Sequence, residues 1–162
     1  MKVYKNFLNK EHFKNIKNLL TSSHFPWYLT SIVSYDTKKF NSQICHTLYK
    51  NNSINSKFYN DLKPVYEKIQ WFSLLKLKAN LIMRTENIIE HGMHLDYVKP
   101  PCKTYTGILY LNTNNGYTKF SNGKIVKSEE NKYVEFDSQL EHTGTSCTDQ
   151  DYRIVINFNY IK

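Results

Sequence analysis

Arginine is scarce in this 162-residue chain: of 22 basic residues only Arg84 and Arg153 are arginine, and the other 20 are lysine. Glycine and proline are scarce as well, at five and four residues, and no stretch rich in them forms a linker between domains. Length and composition therefore point to one domain spanning 1–162, long enough for a proper core. The three cysteines, Cys45, Cys102 and Cys147, lie far apart without a CxxC pair, which excludes a thiolate zinc site and a disulfide framework and leaves buried or idle thiols. No apolar run approaches the roughly 18 residues of a membrane span. The first residues, Met-Lys-Val-Tyr-Lys-Asn-Phe, lack the apolar stretch of a signal peptide, so the expected compartment is the cytoplasm.

What is present is a formal charge of +8 and an abundance of Asn, Lys, Ile and Tyr. That combination is what AT-rich coding produces, and the lysines are scattered rather than gathered in a stripe. The charge by itself is thus a weak pointer to nucleic acid. Against this background each of the two arginines calls for an explanation.

The character of the chain changes near residue 70. Before it, the segments 11–20, 39–50 and 57–69 carry apolar residues at helical spacing, with Pro64 interrupting the last, and 32–36 reads as a short strand. After it the pattern is strand-like over 74–84, 105–111, 117–120, 124–127, 133–136 and, most strongly, 152–161, with turns at Asn114-Asn115-Gly116 and Asn122-Gly123. The expectation is an α+β domain: helical support over 1–70 and a β-sandwich or barrel over 71–162. Trp27, Tyr28, Trp71 and Phe72 are expected in packing between helices and sheet.

Chemistry gathers around His94-Leu95-Asp96. On an extended chain residues i and i+2 share a face, so the two side chains converge on one point. His142, just before the last strand, supplies a third donor. Two histidines and one carboxylate make a facial triad that leaves coordination positions open on a metal. Arg153 follows His142 by 11 residues inside an apolar strand, where a guanidinium needs an anion. Tyr110 follows His94 by 16 residues and offers a phenol to the same anion. His91 is three residues from His94, on the wrong face of a strand to join it, and reads as a neighbour of the site. Arg84 ends the strand over 74–84 and faces either the mouth of the site or a salt-bridge partner, and Asp151 is a ready partner for a lysine.

Taken together, His94-Leu95-Asp96, Tyr110-Leu111-Asn112, Asn115-Gly116-Tyr117-Thr118-Lys119-Phe120, His142 and Arg153 resemble the 2-oxoglutarate/Fe(II) dioxygenases, in the prolyl-hydroxylase-like branch. Tyr117 stands where that family usually has the second glycine of Gly-Gly-Thr-x-Phe. The resemblance covers about residues 74–162 and extends to small enzymes carried by marine phages, which would place the protein in a bacterial host. It implies a double-stranded β-helix, the cupin-like jelly roll, with the N-terminal helices packed on its major sheet. It also implies Fe(II) held by His94, Asp96 and His142, 2-oxoglutarate held by Arg153 and Tyr110, and O₂ as oxidant. The implied reaction hydroxylates a C–H bond and yields succinate and CO₂.

For the substrate, the resemblance points to a prolyl or other protein or peptide side chain. Oxidative nucleic-acid demethylases of the superfamily carry a second arginine six residues after the first, and that position here is Asn159, so nucleic acid is not favoured. A small molecule stays open, as do a zinc hydrolase and a non-catalytic cupin-like binding module; Arg153 and Tyr110 speak against both of the last two.

Overall fold

A computed structural model describes residues 1–30, 43–97 and 100–162, and among these described residues are eleven strands and two helices. In order they are β1 (Lys2–Tyr4), α1 (Lys10–Leu20), β2 (Tyr28–Thr30), β3 (Gln43–Lys50), β4 (Ser53–Ile54), α2 (Lys63–Ile69), β5 (Ser73–Met83), β6 (Thr104–Tyr110), β7 (Tyr117–Phe120), β8 (Ile125–Lys127), β9 (Tyr133–Asp137), β10 (His142–Gly144) and β11 (Tyr152–Ile161). A 3₁₀ turn, Lys57–Leu62, leads into α2. No helix among the described residues is long and apolar enough to cross a membrane.

Helix α1 begins where the Asn9 side chain accepts the His12 amide, and it buries Phe13, Ile16 and Leu20 along one face. Pro64 falls in the first turn of α2, where its missing N–H costs nothing, so it starts this helix instead of breaking one. Between the helices the expectation fails. Residues 43–50 form a strand, not the end of a helix over 39–50, because the segment exchanges ladder hydrogen bonds with β5 along Ile44–Lys50. Tertiary pairing overrides the helical spacing there. Segment 1–70 is accordingly mixed, and four of its strands, β1 to β4, belong to the main sheet. Residues 39–42 and the strand expected at 32–36 lie outside the described residues.

The large sheet runs β1-β9-β6-β11-β5-β3-β2, and a small one runs β10-β7-β8. Single bridges, Glu90 to Thr145 and His94 to His142, add the 90–94 segment to the small sheet. The two antiparallel sheets form a jelly roll, as expected for the chain after residue 70.

Strand β11 explains how this arrangement positions a site. Its even-numbered residues Ile154, Ile156, Phe158 and Tyr160 enter the main core together with Leu77, Ala79, Leu109 and the helices. The odd-numbered face turns between the sheets, where Val155 joins Ile108, Tyr110, Phe120, Val134 and Phe136. On that inner face, apolar packing gives way to Arg153, Asn157 and Asn159, which line a cavity. Both faces are thus covered, but only one is oily.

Two of the aromatic residues expected in packing are exposed: Tyr28 sits on a short outer strand and Phe72 precedes β5. Trp27 and Trp71 do pack against the core. The cysteines form no disulfide; Cys147 is buried, whereas Cys102 is exposed.

Candidate metal and anion site

His94 and His142 exchange both backbone hydrogen bonds, at 3.0 and 3.1 Å. Directly opposed residues of an antiparallel pair project to the same side, so the bridge itself brings the two imidazoles together, with ring centroids 4.7 Å apart. Asp96, two residues on, closes the group: one ligand atom from each of the three lies within 4.8 Å of the others. Its carboxylate is 4.0 Å from His94 Nε2 and 3.7 Å from His142 Nε2.

The donor chemistry fits a divalent metal. Nδ1 of His94 lies 3.2 Å from the Gly92 carbonyl, and Nδ1 of His142 lies 3.3 Å from that of Leu140. A carbonyl accepts only from N–H, so both rings carry their proton on Nδ1 and present a lone pair at Nε2. Burial holds the pKa of His142 below the ordinary imidazole range, with His94 acting in the same direction and Asp96 opposing, which keeps the ring in its ligating form. Asp96 Oδ2 accepts from Thr106 Oγ1 at 2.7 Å and Asn159 Nδ2 at 3.0 Å. Burial alone would raise this carboxyl, but His142 and these hydrogen bonds outweigh it and keep the group ionised. With Oδ2 so occupied, Oδ1 is the oxygen left for a metal.

Arg153 lies further along the same cavity, 2% exposed. Its Nε donates to Ser128 Oγ at 2.7 Å and Nη2 to Thr118 Oγ1 at 3.3 Å. Among the described residues no carboxylate pairs with it. A buried guanidinium held by two neutral hydroxyls and the face of the Tyr110 ring, 5.6 Å away, is half of an ion pair. Gly116 lets it sit there: a Cβ at that position would stand 2.8 Å from Arg153 Cδ and 2.7 Å from the Ser146 carbonyl.

Tyr110 is fully buried, and its hydroxyl donates to Thr118 Oγ1 at 2.8 Å. It stands behind Thr118, which lines the cavity as Tyr110 does not. Thr118 already accepts from both Tyr110 and Arg153, so its own proton is available to a ligand on Arg153. Arg84 does not line the cavity; it is exposed and faces Asp151 at 3.8 Å. Asp151 therefore pairs with an arginine rather than a lysine. His91 lines the cavity but is not part of the three-donor group. Tyr117 turns outward, donating to Glu90 Oε1 at 2.8 Å without a left-handed backbone, which explains why a bulky residue is tolerated at this point of the motif.

The supporting roles of four residues escaped the sequence reading: Thr106, Asn159, Thr118 and Ser128. Strand alternation held a signal for two of them. Thr106 shares a face with Ile108 and Tyr110, and Asn159 shares one with Arg153, so each is a polar residue on an inward face.

No protein-family model matches the sequence, and no curated protein matches it. Solved structures do match in fold. A 2OG-Fe(II) oxygenase family oxidoreductase from Burkholderia pseudomallei superposes with a TM-score of 0.69 at 12% identity, covering 96% of this chain and 82% of that one. A prolyl hydroxylase from Trichoplax adhaerens, in complex with a hypoxia inducible factor peptide fragment, gives 0.69 at 12% identity over 99% and 82%. The non-haem α-ketoglutarate dependent epimerase SnoN of nogalamycin biosynthesis gives 0.68 at 10% identity over 99% and 76%. The chain has the fold these proteins share.

Proposed function

We propose that this protein is an Fe(II)- and 2-oxoglutarate-dependent dioxygenase that hydroxylates a C–H bond and releases succinate and CO₂. The observation that carries the reading is the pairing, in one cavity, of a two-histidine, one-aspartate donor set with a buried arginine that has no carboxylate partner among the described residues. A zinc hydrolase has use for the first feature and none for the second.

In this reading His94 Nε2, Asp96 Oδ1 and His142 Nε2 hold the iron, which supplies O₂ activation and oxidation of the substrate when bound. Thr106 and Asn159 fix the Asp96 carboxylate, and the Gly92 and Leu140 carbonyls fix the rings. Arg153 binds the distal carboxylate of 2-oxoglutarate, aided by the Thr118 hydroxyl, while Ser128 and Tyr110 keep that pair in place. The apolar floor of Ile108, Val155 and Ile82 excludes water from the co-substrate's chain. A prolyl or other peptide side chain is the first substrate class to test. The peptide-bound Trichoplax match supports it, and the epimerase match is the reason to carry small molecules in the same screen.

The test is anaerobic titration of the metal-free protein with Fe(II) and 2-oxoglutarate. The expected result is a weak visible absorption band of the chelate, lost in His94→Ala and Arg153→Ala. Metal binding with no response to 2-oxoglutarate would overturn the reading.

A further inference from the structure

The cavity holds more positive charge than one dicarboxylate accounts for. Its floor is a ladder of residues paired across β11 and β5: Arg153 opposite Ile82, Val155 opposite Asn80, Asn157 opposite Lys78 and Asn159 opposite Lys76. Arg153 occupies one end of this ladder and the two lysines the other, with Asp96 anchored to Asn159 between the sheets. Lys78 is half-buried and donates to Gln43 Oε1 at 3.2 Å, and Lys50 stands opposite Lys76 across β3 and β5. Among the described residues none of these three lysines forms an ion pair with a carboxylate. Burial disfavours the charge on Lys78, and Lys76 and Lys50 repel it further, while Asp96 acts in the opposite direction.

Beside Lys78 are two polar groups in need of a partner. The Asn80 and Asn157 Oδ1 atoms are buried, belong to residues lining the same cavity, and have no hydrogen-bond partner among the described residues. A buried acceptor left without a hydrogen bond destabilises the fold until a partner arrives. A ligand bringing a hydrogen-bond donor next to an anionic group would satisfy the amides and the lysines at once. Lys76 stands opposite Asn159, whose side chain donates to Asp96, so an anionic group on the lysines lies close to the metal donors and to the carbon that reacts.

We propose that the substrate bears a carboxylate beside the reacting C–H bond, seated on Lys76 and Lys78, with an adjacent N–H or O–H donating to Asn80 and Asn157. This rests on the dioxygenase reading and names the substrate class for it. A free amino acid and a peptide with an acidic residue beside the target side chain both present that chemistry, and the two sources are separable.

The experiment uses the full chain loaded with redox-inert Zn(II) and saturating 2-oxoglutarate, read by melting temperature and calorimetry. Two probe sets are compared: the free L-amino acids against their carboxamides, and blocked short peptides placing aspartate or glutamate beside proline against their asparagine and glutamine counterparts. At least one acid should bind 10-fold or more tighter than its amide. Lys78→Met and Lys76→Met should abolish that preference while leaving the Kd of 2-oxoglutarate unchanged, which also verifies their folding. Preference within the first set identifies a free acid, and within the second a peptide. The proposal is overturned if no acid outcompetes its amide, if the preference survives both substitutions, or if Lys78→Met instead weakens 2-oxoglutarate. Failure of the wild-type protein to bind 2-oxoglutarate at all would reject the dioxygenase reading, a result distinguishable from each of these.

Discussion

Arg153 shows what a single side chain can commit a fold to. Its two hydroxyl partners orient the guanidinium without neutralising it, so the energetic incentive to bind an anion is built in. Hydrogen bonds to charged groups contribute about 1.5–3 kcal/mol each, so Arg153→Met should weaken 2-oxoglutarate binding by about 10- to 100-fold. Calorimetry on the metal-loaded protein measures this directly. Thr118→Val removes one donor to the same ligand and one acceptor from Tyr110, and should cost about 10-fold, the lower end of that range. Tyr110→Phe, which loses only a buried contact to Thr118, should cost less than Thr118→Val. The opposite ranking would mean that the phenol reaches the ligand itself.

At the scale of elements, close approach decides what each strand and turn can carry. The turn between β6 and β7 brings Gly116 against the Arg153 side chain, and overpacking in such a place costs about 1–3 kcal/mol. Gly116→Ala should therefore reduce 2-oxoglutarate affinity by about 10-fold even though residue 116 touches no ligand. Gly107, on β6, meets the Tyr133 ring of the neighbouring β9, whose hydroxyl is hydrogen-bonded to Tyr160. Gly107→Ala should destabilise the protein by at least about 1–3 kcal/mol in chemical denaturation. Tyr133→Leu should relieve much of that penalty in the double variant, because the group the methyl collides with is gone.

The same scale shows how much the sequence told and where it fell silent. The strands after residue 70 were legible because their alternation coincides with sheet burial, and β11 matches its expected span. The convergence of His94, Asp96 and His142 was legible because His-x-Asp on an extended chain is a geometric statement. The helix expected to end at Lys50 was not a helix, since apolar spacing in a short segment cannot reveal that β5 waits to pair with it. Ser128 and Thr118 were harder still: a hydroxyl that holds a buried guanidinium looks like any other serine or threonine until the partner strand is in place. Tyr110 carried a readable position but not its reach, because the depth of a side chain behind a neighbour is a property of packing.

For the whole molecule, metal loading should act as a stabiliser, since the folded site exists only in the native state. At a free Zn(II) concentration 100 times the Kd the gain is about 2.7 kcal/mol, a rise of roughly 5–10 °C in melting temperature for a chain of this size. Asp96→Ala should abolish the rise. Acid stability has a separate source. Burial pushes the Glu135 carboxyl up, but hydrogen bonds from Lys162 and Tyr160 outweigh it and hold its pKa below the ordinary glutamate range. A group whose pKa falls on folding stabilises the protein above its unfolded value and loses that contribution as pH drops through the folded one. Glu135→Gln should therefore lower stability at neutral pH and flatten its decline between about pH 5 and pH 3, as followed by urea denaturation across that range.

The site also straddles a seam. His94 and His142 belong by their backbones to the small sheet, whereas Asp96 is fastened through Thr106 and Asn159 to the large one. An ion shared by all three would act as a clasp, so that the sandwich could not gape along this edge without releasing it. Amide hydrogen exchange would see the clasp close: protection should rise at His94 and His142 on loading, while the amides of α1, on the far side of the large sheet, keep the rates they had before.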